Sequence, residues 1–200
     1  MNKFIVHCGM PKTGTSLAQH YFNNLSRYSI INYVDEYKSG IAHHKLANEV
    51  IGSKEFSDEF FNNFEKSNLD ILISSENFSN GFGKNTDSLC YFFGRASAKF
   101  DLQVYLVLRR LDSFLDSMYC QQVRFGRFKG DIDTYIAPRL GWFKNFLYGV
   151  SSVRGEFPNS LNIYTYRKGF DIIHLFQDLL YVDNSVSEKA LIGSINHYAL

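Results

Sequence analysis

The sequence predicts an α/β domain of three layers, with a central, mainly parallel sheet held between two layers of helices. Three observations lead there. Apolar, β-rich runs alternate along the chain with segments of helical periodicity, the order that α/β folds require. The strand-like runs are mostly unbroken apolar stretches, as strands buried on both faces are. A glycine-bearing turn joins the first run to the first helix, and sheets of this kind bind ligands beyond the carboxyl ends of their strands.

In chain order, the first strand is expected at residues 4–8 (Phe-Ile-Val-His-Cys) and the first helix at 15–25. A strand at 30–34 follows, then helices at 43–51 and 58–66. The apolar run at 71–75 is the third strand, followed by a helix at 88–99 and a strand at 104–108. A helix at 112–125 has Asp112 as a good N-cap and Gly126 as a stop. A long helix at 132–150, a strand at 161–166 and a helix at 171–180 complete the pattern.

The chain has 200 residues, 45% of them hydrophobic, enough for one globular domain over residues 1–200, short at its C-terminus. Net charge is +1 with Lys and Arg spread evenly, which excludes a nucleic-acid protein driven by a broad basic field. Cys8, Cys90 and Cys120 are far apart, with no zinc spacing, so reduced thiols and no metal site are expected. No apolar run approaches the roughly 18 residues that span a bilayer. The first strand begins almost at once, leaving no room for a signal peptide, so a cytoplasmic protein is expected.

Chemistry concentrates first at Cys8-Gly9-Met10-Pro11-Lys12-Thr13-Gly14-Thr15-Ser16. A turn that enters a helix N-terminus offers free backbone N–H groups and the positive end of the helix dipole to an anion. Gly9 and Gly14 let the backbone approach a phosphate, Thr15 and Ser16 add hydroxyl donors, and Lys12 adds charge. The glycine spacing is that of the ATP-binding loop G-x-x-x-x-G-K-[ST], but Thr15 follows the second glycine and the lysine sits earlier, at Lys12. A second anion site is expected where the strand at 104–108 runs into Arg109-Arg110. A strand-end arginine reaches into the cleft, and Ser117, eight residues after Arg109 on the next helix, adds a hydroxyl. Arg110, at a spacing of seven, is the competing arginine.

Pro11-Lys12-Thr13-Gly14-Thr15-Ser16 resembles the 5′-phosphosulfate loop of the sulfotransferases that use 3′-phosphoadenosine 5′-phosphosulfate (PAPS), and the chain is similar to bacterial carbohydrate-type members. Arg109 with Ser117 resembles the pair that holds the 3′-phosphate in that family. The resemblance implies a P-loop NTPase-like sulfotransferase fold, PAPS as co-substrate and an acceptor hydroxyl, on a carbohydrate or glycolipid. It assigns Pro11, Lys12, Thr13, Gly14, Thr15, Ser16, Arg109 and Ser117 to the nucleotide. Arg167-Lys168-Gly169 matches a late family segment in letters only and directly follows a strand, so no role is transferred to it.

Sulfuryl transfer needs positive charge on the leaving oxygen, a role for Lys12, and a base for the hydroxyl proton. Glu76, just past the third strand, and His44 or its neighbour His43 are the candidate bases. His7, inside a strand, is expected to be packed. Gln121, Gln122, Arg124 and Arg127 are candidates for an acceptor groove. The alternatives are a Mg²⁺-dependent P-loop kinase or NTPase, which the missing lysine after Gly14 disfavours, and a nucleotide-binding module without turnover.

Overall fold

Strands β1 (Lys3–His7), β2 (Asn32–Tyr33), β3 (Ile71–Ser74), β4 (Asp101–Arg109) and β5 (Leu161–Tyr166) pair in parallel in the order β2-β3-β1-β4-β5. This computed structural model describes residues 1–53, 58–167 and 170–196, the last four by backbone alone. Lys168, Gly169 and His197 lie outside the described residues.

The two-residue alternation of β1 divides the core between the sheet's faces. Phe4, Val6 and Cys8 point to one face, where helices α2 (His44–Gly52), α3 (Asp58–Asn62), α4 (Asn77–Lys84), α5 (Thr86–Ser97) and α8 (Leu140–Glu156) cover them. Ile5 points to the other, under α1 (Thr15–Arg27), α9 (Ile172–Leu179) and α10 (Asn184–Asn196). Both faces of the sheet are therefore buried over its central strands, with Ile163 and Thr165 of the edge strand β5 left exposed, and the expected α/β fold with a parallel central sheet is the one observed. No helix among the described residues is long and apolar enough to cross a membrane.

The chain leaves β1 through α1 on one face and leaves β3 through α4 on the opposite face. Neighbouring strands whose connections part in this way open a crevice at their carboxyl ends. The loop after β1 and the first residues after β3 are its two lips.

Several expected elements change. The edge strand shrinks from 30–34 to Asn32–Tyr33, pairing only with Ile71 and Leu72, because Ser29 and Ile30 bond back to the end of α1. The helix expected at 132–150 is broken into α7 (Ile132–Ile136), a 3₁₀ turn at Ala137–Arg139 and α8. Pro138 lacks the N–H that a continuous helix needs, and its ring clashes with the preceding turn. Asp112 is not the N-cap of α6 (Leu111–Arg124). Arg110 holds that position, and the Asp112 carboxylate accepts the Ser113 N–H at 2.7 Å and pairs with Arg110. Helix α4 was absent from the sequence pattern because Asn80, Gly81 and Gly83 are poor helix formers. Its glycines serve packing: a Cβ on Gly81 would come within 2.7 Å of the Leu89 side chain.

His43 ties the β2 edge to β3. It is fully buried, its Nε2 donates to the Val34 carbonyl at 2.7 Å, and its Nδ1 accepts the Ser74 N–H at 3.1 Å. Burial pushes its pKa down to about 4, and that of the buried His7 to about 3, from 6.5. Both pKa values fall on folding, so the unfolded chain binds more protons below pH 6.5. Stability is complete above that pH and is lost as pH falls towards these lower values. Between pH 7.5 and pH 5, urea denaturation should show a loss of about 2 kcal/mol per histidine. His43→Gln should flatten that slope whatever its absolute stability, and an unchanged slope would assign the effect to other groups.

The crossing of α4 and α8 generates a second prediction. A Cβ on Gly149 of α8 would lie 1.9 Å from the Phe82 carbonyl oxygen of α4, so the two backbones touch there. Gly149→Ala should cost about 1–3 kcal/mol of stability or more, read by the same urea titration. A neutral effect would mean that α8 slides freely on α4.

Candidate functional site

The loop after β1 is held from below before it turns. The Cys8 and Met10 N–H groups continue the pairing with β4 by donating to the Tyr105 and Val107 carbonyls, at 2.8 and 2.9 Å. The Thr13 hydroxyl, fully buried, donates to the Met10 carbonyl at 2.7 Å and lies 3.3 Å from the Thr15 hydroxyl. Thr13 thus braces the loop with its side chain and can offer a ligand only its backbone. Gly9 is required at this spot: a Cβ there would stand 2.8 Å from Thr15 Oγ1, 2.9 Å from Thr13 Oγ1 and 3.1 Å from His7 Nε2. His7 is the packed histidine that its strand position predicts. Its Nδ1 shares a 2.8 Å hydrogen bond with the Ser74 hydroxyl, while its Nε2 has no partner among the described residues.

The loop itself turns through two left-handed residues, Lys12 at φ 68° and Gly14 at φ 79°. For lysine that conformation is uncommon. It leaves the Lys12 side chain exposed at the cleft mouth. Gly14 is the N-cap of α1; no side chain caps this helix end and its first turn carries no acidic residue. The first N–H groups of α1 are therefore left to a ligand, with the helix dipole adding positive potential.

A cleft of about 650 Å³ opens here, lined by Pro11, Lys12, Gly14, Thr15, Ser16 and Leu17, with Glu76 and Gln121 across from them. Glu76 follows β3 and sits at the start of α4. Gln19 of α1 donates to its Oε2 at 3.4 Å, and His44 Nε2 stands 3.8 Å from its Oε1. His44 Nδ1 is 2.8 Å from the Ser75 hydroxyl, which also accepts the Asn77 N–H at 3.1 Å. Both side chains are about one-third exposed, 29% for Glu76 and 32% for His44, but only Glu76 lines the cleft, with His44 beside it. His43 is buried with both ring nitrogens engaged. Gln19 had no signal in the sequence beyond its place on a helix.

A smaller adjoining cavity of about 260 Å³ shares Lys12 and Gln121 with the first and adds Ser117, Cys120, Arg124 and Phe125. Arg109, the last residue of β4, donates to the Lys12 carbonyl at 3.3 Å and lies over the Tyr166 ring at 5.9 Å. It is thereby held at the loop. Arg110 points to solvent, 78% exposed, and is committed to Asp112, whose carboxyl its hydrogen bond pulls down to about 2. Of the other groove candidates, Gln122 lines neither cavity and Arg127 stands 5.3 Å over the Phe125 ring. No group of three or more His, Cys, Asp or Glu among the described residues could hold a metal ion.

Two cavities that share Lys12 and Gln121 thus meet at this loop, the first with the uncapped N-terminus of α1 and the Glu76 carboxylate in its walls. No protein-family model matches the chain, and no curated protein matches it in sequence. Among solved structures, the crystal structure of a sulfotransferase from Alicyclobacillus acidocaldarius is similar, with a TM-score of 0.51 over 92% of this chain and 82% of that one, at 14% sequence identity. At that identity the likeness is one of architecture: the chain shares the fold of that sulfotransferase, and its glycine-bearing loop lies at the carboxyl end of the central strand.

Proposed function

We propose that the protein is a sulfotransferase that moves the sulfuryl group of PAPS to an acceptor hydroxyl on a carbohydrate or glycolipid. One observation carries the reading. Lys12 stands between two cavities, one with an uncapped helix N-terminus and Glu76, the other with Ser117 and Arg124. A nucleotide with anionic groups at both its 5′ and 3′ positions matches that pair.

The 5′-phosphosulfate lies on the α1 N-terminus, against the backbone of Gly14 and Thr15 and the Ser16 hydroxyl. The 3′-phosphate takes Ser117 and the guanidinium of Arg109. The acceptor oxygen attacks sulfur as the bond from sulfur to the 5′-phosphate oxygen breaks. The sulfuryl group passes to the acceptor, adenosine 3′,5′-bisphosphate leaves, and the hydroxyl proton goes to Glu76. Lys12 meets the charge that builds on the leaving phosphate oxygen, so it helps the transition state more than the ground state. Gln19 donates to the Glu76 carboxylate, and the His44 ring stands beside it.

Calorimetry tests the nucleotide. Adenosine 3′,5′-bisphosphate should bind at least tenfold more tightly than AMP, and without Mg²⁺; a preference for ATP with Mg²⁺ would turn the case to a kinase. Arg109→Ala should cost about 2 kcal/mol of bisphosphate binding and Arg110→Ala much less, since Arg110 is spent on Asp112. The reverse order would shift the 3′-phosphate to Arg110.

Single-turnover transfer tests the chemistry. Lys12→Ala should slow it by about 10²-fold, the scale of losing one preorganised donor, with a smaller effect on bisphosphate affinity. Glu76→Gln should keep that affinity and depress transfer. Normal transfer by Glu76→Gln would move the base to His44.

A further inference from the structure

Pro11 lines both the first cleft and a neighbouring one of about 680 Å³. Its walls are Phe114, Leu115, Met118, Tyr135, Trp142 and Phe143, from α6, α7 and α8. Its polar groups are the Asn80 amide, the Lys84 and Arg139 cations, the Tyr135 hydroxyl and the Trp142 indole N–H, and no carboxylate lines it.

These walls are fixed by packing. The Trp142 indole lies against α4 at Gly83, where a Cβ would meet its Nε1 at 2.7 Å. It stands edge-on to Phe143, with ring centres 4.8 Å apart, and 5.3 Å from Phe146. The Arg139 guanidinium stacks 3.5 Å above the Tyr135 ring and donates to the Tyr135 carbonyl. Neither Lys84 nor Arg139 is paired with a carboxylate among the described residues.

Helix α4 joins the two clefts. Glu76, Asn80 and Lys84 are spaced four residues apart and so share one stripe of it. Glu76 faces the first cleft, and Asn80 and Lys84 the second. At ~1.5 Å per residue, Lys84 lies about 12 Å further along the helix than Glu76.

We propose that this second cleft holds the body of the acceptor, and that the acceptor is an amphiphile: a hydroxyl at one end, an apolar body, and an anionic group at the other end. The assignment rests on reading the first cleft as the transfer site. Six apolar or aromatic walls gain by excluding water from an apolar body. A bare sugar chain would bury many hydroxyls against them, with Asn80 as the one uncharged side-chain amide to meet those groups. Two cations without a carboxylate are complementary to an anion, and their place fixes its distance from the reacting oxygen.

Trp142 is the sole tryptophan, so its emission reports occupancy of this cleft directly, with no nucleotide present. The probes are 10-hydroxydecanoate, decane-1,10-diol, 6-hydroxyhexanoate and maltotriose. The first should shift the emission to the blue with a Kd at least tenfold below that of the diol, and the shorter acid should bind more weakly. Lys84→Ala with Arg139→Ala should abolish the advantage of the acid over the diol while leaving diol binding intact, which also shows that the cleft still forms. Equal binding of acid and diol, tighter binding of maltotriose, or no emission change with any probe would overturn the proposal. Failure to bind adenosine 3′,5′-bisphosphate, with 10-hydroxydecanoate still bound, would instead sink the transfer reading and leave the cleft's ligand class standing.

Discussion

Everything in the site depends on how β1 ends. Its backbone is paired on both sides, with β3 and β4, and the pairing with β4 continues through Met10, so the chain cannot drift as it leaves the sheet. It must then reverse into α1 within a few residues. That demands two left-handed residues and a glycine pressed against two threonine hydroxyls and a histidine ring. The same tightness that makes the turn costly in conformation leaves the first N–H groups of α1 without a side-chain cap. An anion can supply the missing partners, which is why a loop that looks strained without a ligand suits a phosphate-bearing one.

The buried groups under the loop serve that constraint. His7 stays neutral because burial penalises its charged form, so it adds no positive charge beneath the loop. Its ring is wedged edge-on against Phe22 of α1 and Phe176 of α9, and fills the space below Gly9. The positive charge lining the clefts therefore comes from exposed side chains, Lys12 and Arg124. Rim charges can move to meet a ligand, whereas the backbone donors cannot. The loop supplies position and the rim supplies attraction.

On the opposite lip, geometry is set by helix contact. Helix α4 begins just after Glu76, its N-cap, and is pressed onto α8 through Gly149 and onto Trp142 through Gly83. The carboxylate and the second cleft are consequently parts of one rigid unit. A change in the α4–α8 crossing would move Glu76 and the cleft walls together.

The sequence by itself determined the sheet, the loop and its lysine. These are local matters: an unbroken apolar run declares a doubly buried strand, and a glycine turn between strand and helix declares free N–H groups wherever it occurs. It also placed Arg109 at a strand end and Glu76 just past another, because strand ends can be read from where apolar runs stop. Tertiary structure alone decided the rest. It chose Arg109 over Arg110 for the loop side of the strand, by committing Arg110 to Asp112. It buried His43 and left His44 beside Glu76, a difference of one residue at the start of a helix. It made a helix of residues whose own propensities oppose one, because glycines at 81, 83 and 149 pack where no side chain fits. And it gathered Lys84, Arg139 and Trp142 around one cleft. Residues so far apart in the chain meet only through helix packing, which depends on the shapes of both partners and leaves no pattern in either segment alone.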